Sequence, residues 1–291
     1  TSGSLISYTT NNGSPAAGQW NGITFTITTS ASVIDYAVIE YGGAGTNNNN
    51  VRIASSTPTI SNTTIRHSDG YGVYVTGSNV KPILTSNAIT NNGGTPLRIE
   101  LANLPTLSGN TYSSNTNQHV ELIGATVGSS VTVAHEGIPY VLSTNVTING
   151  SATLTINPGV TWKFPASTGL TIGSTTAGVL VADGTSGSPI TFTTSNASPA
   201  AGQWSGINFA ITTSASILDY AVVEYGGAGS NNTNIRVASS TPTVQNSTIR
   251  YSDGYGLDSG VGARPVLTSN AFTNNDYPLK FRSADPPTLS G

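Results

Sequence analysis

Residues 58–65 read PTISNTTI, residues 82–89 read PILTSNAI and residues 105–112 read PTLSGNTY. The prolines that head them, Pro58, Pro82 and Pro105, lie 24 and 23 residues apart. Two positions after each proline stands Ile60, Leu84 or Leu107, and seven after it stands Ile65, Ile89 or Tyr112. Residues 32–39, SVIDYAVI, fit the same frame one period earlier with Ile34 and Ile39. Large apolar residues thus return to matching positions every 22–26 residues. Between them the apolar positions alternate: Val51/Ile53, Val73/Val75, Leu97/Ile99 and Val120/Leu122 each flank one residue that faces the other way, the period of a strand. The intervening NNNN, SDGYG and NNGG are turn chemistry with no length for a helix. A unit this short cannot bury its own apolar face, so it must stack on its neighbour, with strands pairing in parallel about 4.8 Å apart. The expected fold is all-β, a parallel β-helix (β-solenoid) of roughly 12 coils of 22–26 residues. A propeller blade needs about 40–50 residues, and a sandwich needs antiparallel hairpins.

A longer period encloses the short one. Residues 1–72 align with residues 185–256 at an offset of 184, with 53 of 72 positions identical. Pro242, Pro265 and Pro287 repeat the proline frame. The chain is expected to be one continuous β-helix over 1–291, with an internal repeat 1–184 and an incomplete copy 185–291. Beginning and ending in mid-repeat, it is expected to continue a longer array or to associate with itself end to end.

Composition narrows the function. Ten Lys+Arg, thirteen Asp+Glu and a net charge of −3 leave no basic footprint for nucleic acid. No cysteine is present for disulfide or thiolate chemistry, and no apolar run is long enough to span a membrane, so no membrane insertion is expected. Asn87 and Asn110 stand five residues after their prolines and Asn62 four after its own, with Asn246 and Asn270 copying them. Amides stacked in register are expected to hydrogen-bond along the axis as a ladder.

The proline-headed coils, together with GVLVADGTSGSPITFTTS and LDYAVVEYGG, resemble the right-handed parallel β-helix repeats of the pectate-lyase-like superfamily. They are most similar to the β-helix regions of large secreted bacterial and archaeal surface proteins. The resemblance implies a right-handed coil and an extracellular, cell-surface setting. It leaves activity open, because the fold carries lyases, hydrolases, adhesins and inert stalks alike.

Candidate chemistry is sparse. The residues expected to face outward on aligned strands are Arg52, Tyr74, Arg98 and Glu121, then Arg236, Asp258 and Lys280 in the second copy. Arg52, Tyr74 and Arg98 form a ridge that could bind a glycan, and Trp20 and Trp204, in GQWNGI and GQWSGI, could stack on a sugar or plug the core. The second copy replaces Tyr74 by Asp258, and neither copy gathers the oxygens that calcium prefers. Asp35 and Glu40, five apart on one strand, should face opposite ways, which separates them for glycoside hydrolysis. Glu40–Arg66 and Glu224–Arg250 read as ion pairs between coils. His67 reads as a turn residue, since Tyr251 replaces it in the copy, and His119 and His135 lack a third zinc ligand nearby. No catalytic residue, metal or cofactor is expected. The expected function is a non-catalytic segment of a repetitive extracellular surface protein: a stalk, adhesin shaft or filament subunit. The alternative is a carbohydrate-binding or polysaccharide-cleaving β-helix.

Overall fold

The computed structural model describes residues 5–27, 32–46, 48–77, 80–212, 215–230 and 232–291. Among them are 34 strands of two to five residues and one turn of 3-10 helix, Leu101–Asn103. Packing divides the chain into two compact units, Thr1–Ile123 with Glu136–Pro139, and Gly124–His135 with Tyr140–Gly291. The repeat boundary at 184/185 therefore falls inside the second unit.

In the first unit three parallel sheets form the walls. One contains Ile6–Tyr8, Ala37–Glu40, Thr64–Arg66, Ala88–Thr90 and Thr111–Ser113. The next contains Ile23–Phe25, Asn49–Ile53, Tyr71–Val75, Leu97–Glu100 and Val120–Ile123. The third contains Val33–Asp35, Thr59–Ser61, Ile83–Thr85 and Thr106–Ser108. The second unit repeats the three-walled plan. Counting the strands of one wall gives five turns in the first unit and six in the second, a right-handed parallel β-solenoid in each.

The expected columns are present. Ile34 pairs with Ile60, Ile60 with Leu84 and Leu84 with Leu107. Ile39, Ile65, Ile89 and Tyr112 form the second column. Ile39, Ile60, Ile65, Leu84 and Ile89 are fully buried, each worth about 1.5–3 kcal/mol of transfer from water. Tyr112 is half-buried and donates its hydroxyl to the Glu136 carboxylate at 2.6 Å.

Two inward residues five positions apart cannot belong to one straight strand. The chain solves this with a left-handed residue between them: Tyr36 (φ 49°), Asn62 (φ 49°), Ser86 (φ 54°) and Gly109 (φ 63°) turn the first-unit coils, and Tyr220, Asn246 and Ser269 turn those of the second. Asp35 and Glu40 are consequently on two strands, Val33–Asp35 and Ala37–Glu40, rather than on one as the alternation rule suggested.

The corner also corrects the asparagine ladder. Asn87 and Asn110 stack as expected: Asn87 Nδ2 donates to Asn110 Oδ1 at 3.1 Å and to the Ile60 carbonyl at 2.9 Å, and Asn87 Oδ1 accepts the Thr63 N–H at 3.1 Å. Asn62 does not join them. It is the left-handed residue itself, exposed, with its Nδ2 donating to Asp35 at 2.8 Å, and Thr63 takes its place in the column. Asn246 likewise bonds outward to Asp219 at 2.9 Å, whereas Asn270 sits inward, accepting the Ser247 N–H. A second ladder runs along the next corner. Asn50, Asn92 and Asn115 are buried, Asn92 Nδ2 donating to Asn115 Oδ1 at 2.9 Å and Asn50 Nδ2 to Asn92 Oδ1 at 3.4 Å.

Candidate functional site

Arg52, Tyr74, Arg98 and Glu121 occupy consecutive positions of one outward column, paired strand to strand. Their inward neighbours Val51, Ile53, Val73, Val75, Leu97, Ile99, Val120 and Leu122 are fully buried, so the alternation fixes the four outward. Arg98 is committed within this column. Its Nη1 donates to the Tyr71 hydroxyl at 2.6 Å, its Nε lies 3.4 Å from the Glu121 carboxylate, and its guanidinium lies 4.9 Å from the Tyr71 ring and 5.2 Å from that of Tyr74. Arg52 is different. Among the described residues its guanidinium has no ion pair or hydrogen bond. In the second unit Asn208, Arg236, Asp258 and Lys280 form the matching column, and Lys280 reaches Asp258 at 3.4 Å. The Tyr74-for-Asp258 exchange removes from Arg52 the acidic neighbour that Arg236 has in register.

Burial pushes the Glu121 carboxyl above its ordinary value of 4.5, with Arg98 pulling it down. A raised carboxyl pKa means that the folded state holds the proton more tightly. Stability is therefore greater below 4.5 and falls as pH rises through the interval above it. Glutamine cannot ionise, so Glu121→Gln is expected to melt higher than the wild type at neutral pH, with the gap closing on acidification. Calorimetric melts across that range check it, and a gap that does not change with pH would contradict it.

Two further ion pairs join neighbouring turns. Arg66 Nε meets Glu40 at 2.8 Å, and Arg250 meets Glu224 at 2.7 Å. Glu224 also accepts the Thr193 hydroxyl at 3.0 Å. Asp35 accepts from Asn62 and Ser61, which hold its carboxyl below the usual range. Among the described residues no three His, Cys, Asp or Glu side chains group as a metal site would require.

The tryptophans have one role in both copies. Trp20 Nε1 donates to the Glu40 carbonyl and Trp204 Nε1 to that of Glu224, each at 2.8 Å. Trp204 is fully buried and stacks on Phe164 at 4.2 Å, so its ring faces are not open to a sugar, and Trp20 is half-buried. The adjacent Gly22 and Gly206 are left-handed, and a Cβ there would come within 2.4 and 2.5 Å of the backbone carbonyls of Asn49 and Thr233. Glycine is what lets the loop of each tryptophan close on its sheet.

One feature escaped the residue-by-residue reading. His67 is left-handed (φ 55°) and stacks on left-handed Tyr41 at 5.2 Å with the planes 8° apart, and Tyr225 and Tyr251 reproduce the pair at 5.0 Å and 3°. Tyr41 fills the His67 position one turn earlier, so the coil period was the available signal. The first pair borders an open cleft of about 470 Å³, lined also by Ser68, Asn91, Asn92 and Ser114.

Residues 19–157 match a family model described as a right handed beta helix region, and residues 125–237 match one described as a pectate-lyase like beta helix domain. No curated protein and no solved structure matches the chain.

Proposed function

We propose that this chain, a right-handed parallel β-solenoid that matches β-helix family models over residues 19–157 and 125–237, is a non-catalytic structural segment of a repetitive extracellular surface protein, serving as stalk, adhesin shaft or filament subunit. One observation carries this reading. Five ion pairs among the described residues join neighbouring turns on the outer faces, among them Glu40–Arg66, Arg98–Glu121, Glu224–Arg250 and Asp258–Lys280. Pairs of this kind fix the register of one turn on the next, each worth about 0.2–1 kcal/mol where exposed. A catalytic carboxylate pair would instead face a shared substrate across a gap. The near-duplicate 184-residue repeat points the same way, since a shaft lengthens by adding units and an active site gains little from a second copy. Strands paired in register also suit end-to-end association, in which one more turn adds the same main-chain bonds.

A carbohydrate-binding ridge is the second reading, favoured by the unpartnered Arg52 guanidinium beside Tyr74. The two separate cleanly. A shaft releases neither reducing ends nor unsaturated uronates from a panel of neutral and acidic polysaccharides, and it gives no glycan-array signal that Arg52→Ala removes. Product release above the blank would overturn the non-catalytic reading. An array signal lost in Arg52→Ala and kept in Arg264→Ala, an exposed arginine paired elsewhere with Asp285, would establish the ridge.

A further inference from the structure

We propose that Asn12 is a self-modifying site, an asparagine that the fold holds ready to deamidate through a succinimide. The Gly13 nitrogen bonds to the Asn12 side-chain carbon and gives up its proton, and the carbon–nitrogen bond of the side-chain amide breaks, releasing ammonia. Water then opens the ring at either carbonyl, leaving Asp or isoAsp and one new negative charge.

Three conditions favour that reaction: a backbone N–H not held elsewhere, a side-chain carbonyl polarised by a donor, and no side chain crowding the attacking residue. Four Asn-Gly pairs occur, at Asn12, Asn21, Asn92 and Asn149. At Asn92 the Gly93 N–H is bound to the Ser68 carbonyl at 2.8 Å, and the amide is buried in its ladder. At Asn149 the Gly150 N–H is bound to the Thr176 hydroxyl at 2.7 Å. At Asn21 no donor reaches the side-chain carbonyl among the described residues, and the backbone at Gly22 packs so closely that a Cβ there would meet the Asn49 and Asn50 carbonyls. Asn12 alone meets all three conditions among the described residues. It is exposed, its Oδ1 accepts the Ser14 N–H at 3.1 Å, the Gly13 N–H has no partner, and nothing lies within 4 Å of a Cβ built on Gly13. The Ser14 N–H stabilises the oxygen charge that develops during attack, as donors to an oxyanion do.

The second copy supplies the control. Asn196 holds the same turn, with Ser198 N–H to Asn196 Oδ1 at 3.1 Å and Asn196 N–H to Thr194 Oγ1 at 3.1 Å, matching Asn12 N–H to Thr10 Oγ1 at 3.1 Å. In both, Gln19 or Gln203 ties down the serine carbonyl. The attacking residue differs, Ala197 in place of Gly13, and so does the residue before the asparagine, Ser195 in place of Asn11.

The test incubates the full chain in mildly alkaline buffer at body temperature and follows each asparagine by peptide mapping. The readout is the mass gain of amide-to-acid conversion, which isomerisation of aspartate does not produce. Asn12 is expected to convert roughly tenfold or more faster than Asn196, the scale on which approach geometry alters rates. Gly13→Ala should slow Asn12 to the Asn196 rate, and Ala197→Gly should raise Asn196 to the Asn12 rate. Conversion at Asn21, Asn92 or Asn149 as fast as at Asn12, or no acceleration in Ala197→Gly, would overturn the proposal.

Discussion

Asn92→Leu is expected to destabilise the first unit by about 3–6 kcal/mol, far more than its unremarkable place in an NNGG turn implies. The side chain is buried, and besides the Asn50 amide it engages three further groups. Its Oδ1 accepts the Ser68 N–H at 3.0 Å, and its Nδ2 donates to the Ile65 carbonyl at 3.3 Å and to Asn115 Oδ1 at 2.9 Å. Leucine has nearly the same size and meets none of these needs. The Ser68 N–H loses its acceptor, the Ile65 carbonyl and Asn115 Oδ1 each lose a donor, and each buried polar group left without a partner costs about 1–3 kcal/mol. Asn62→Leu, one corner away, removes an exposed amide whose Nδ2 contact is Asp35, and should cost about 1–2 kcal/mol, chiefly for forcing leucine into a left-handed backbone. Urea titrations followed by circular dichroism compare the two. Equal losses would mean that the buried ladder contributes no more than the outer bond. The loss should fall on midpoint rather than slope, because the surface exposed on unfolding is nearly unchanged.

That contrast marks where the sequence was readable. The Ile34–Leu107 and Ile39–Tyr112 columns were legible because burial imposes one residue class at one position of every coil, and a periodic demand leaves a periodic trace. The corner was half-legible. Five residues between two inward side chains already implies a turn, yet applying strand alternation straight through Tyr36 placed Asp35 and Glu40 on one strand. Tyrosine carries no local signal for a left-handed backbone, whereas Gly109 at the same corner does. Asn62 stands four residues after its proline and Asn87 five, and that single step separates an outward turn residue from a ladder member. The second ladder lay hidden because Asn92 and Asn115 sit beside Gly93 and in SSNTN, where asparagine usually serves its own turn. Among the outer residues, alternation predicts direction but not partners. It placed Arg52 and Arg98 correctly on one face, while their unlike fates depend on Tyr71, Tyr74 and Glu121 from other turns.

Trp204→Ala is expected to cost about 3–5 kcal/mol, the usual range for emptying a fully buried aromatic site. The indole stacks on Phe164 with the planes 16° apart, and its N–H is the donor to the Glu224 carbonyl. Phe164 in turn lies 5.7 Å from Trp162 and 6.5 Å from Phe192, so removing the indole opens a void beside a ring that its own neighbours hold in place. Trp204→Phe should recover most of the packing and lose the donor, for about 1–2 kcal/mol. Trp20→Ala should cost less, about 1–3 kcal/mol, because Trp20 is half-buried and no ring stacks on it among the described residues. These differences discriminate between the two uses of the GQW motif. A sugar platform would show in glycan affinity with little change in melting, while a core plug shows in melting alone. The identical N–H to carbonyl bond in both copies favours the plug, since it ties each tryptophan loop to the strand that ends in Glu40 or Glu224. The carboxylate of that same glutamate holds Arg66 or Arg250 on the next turn. Loss of Trp204 should therefore weaken the Glu224–Arg250 pair as well. A double-mutant cycle between Trp204→Phe and Arg250→Ala is expected to give a coupling energy of about 0.5–1 kcal/mol, and additive effects would mean that the loop and the pair act independently.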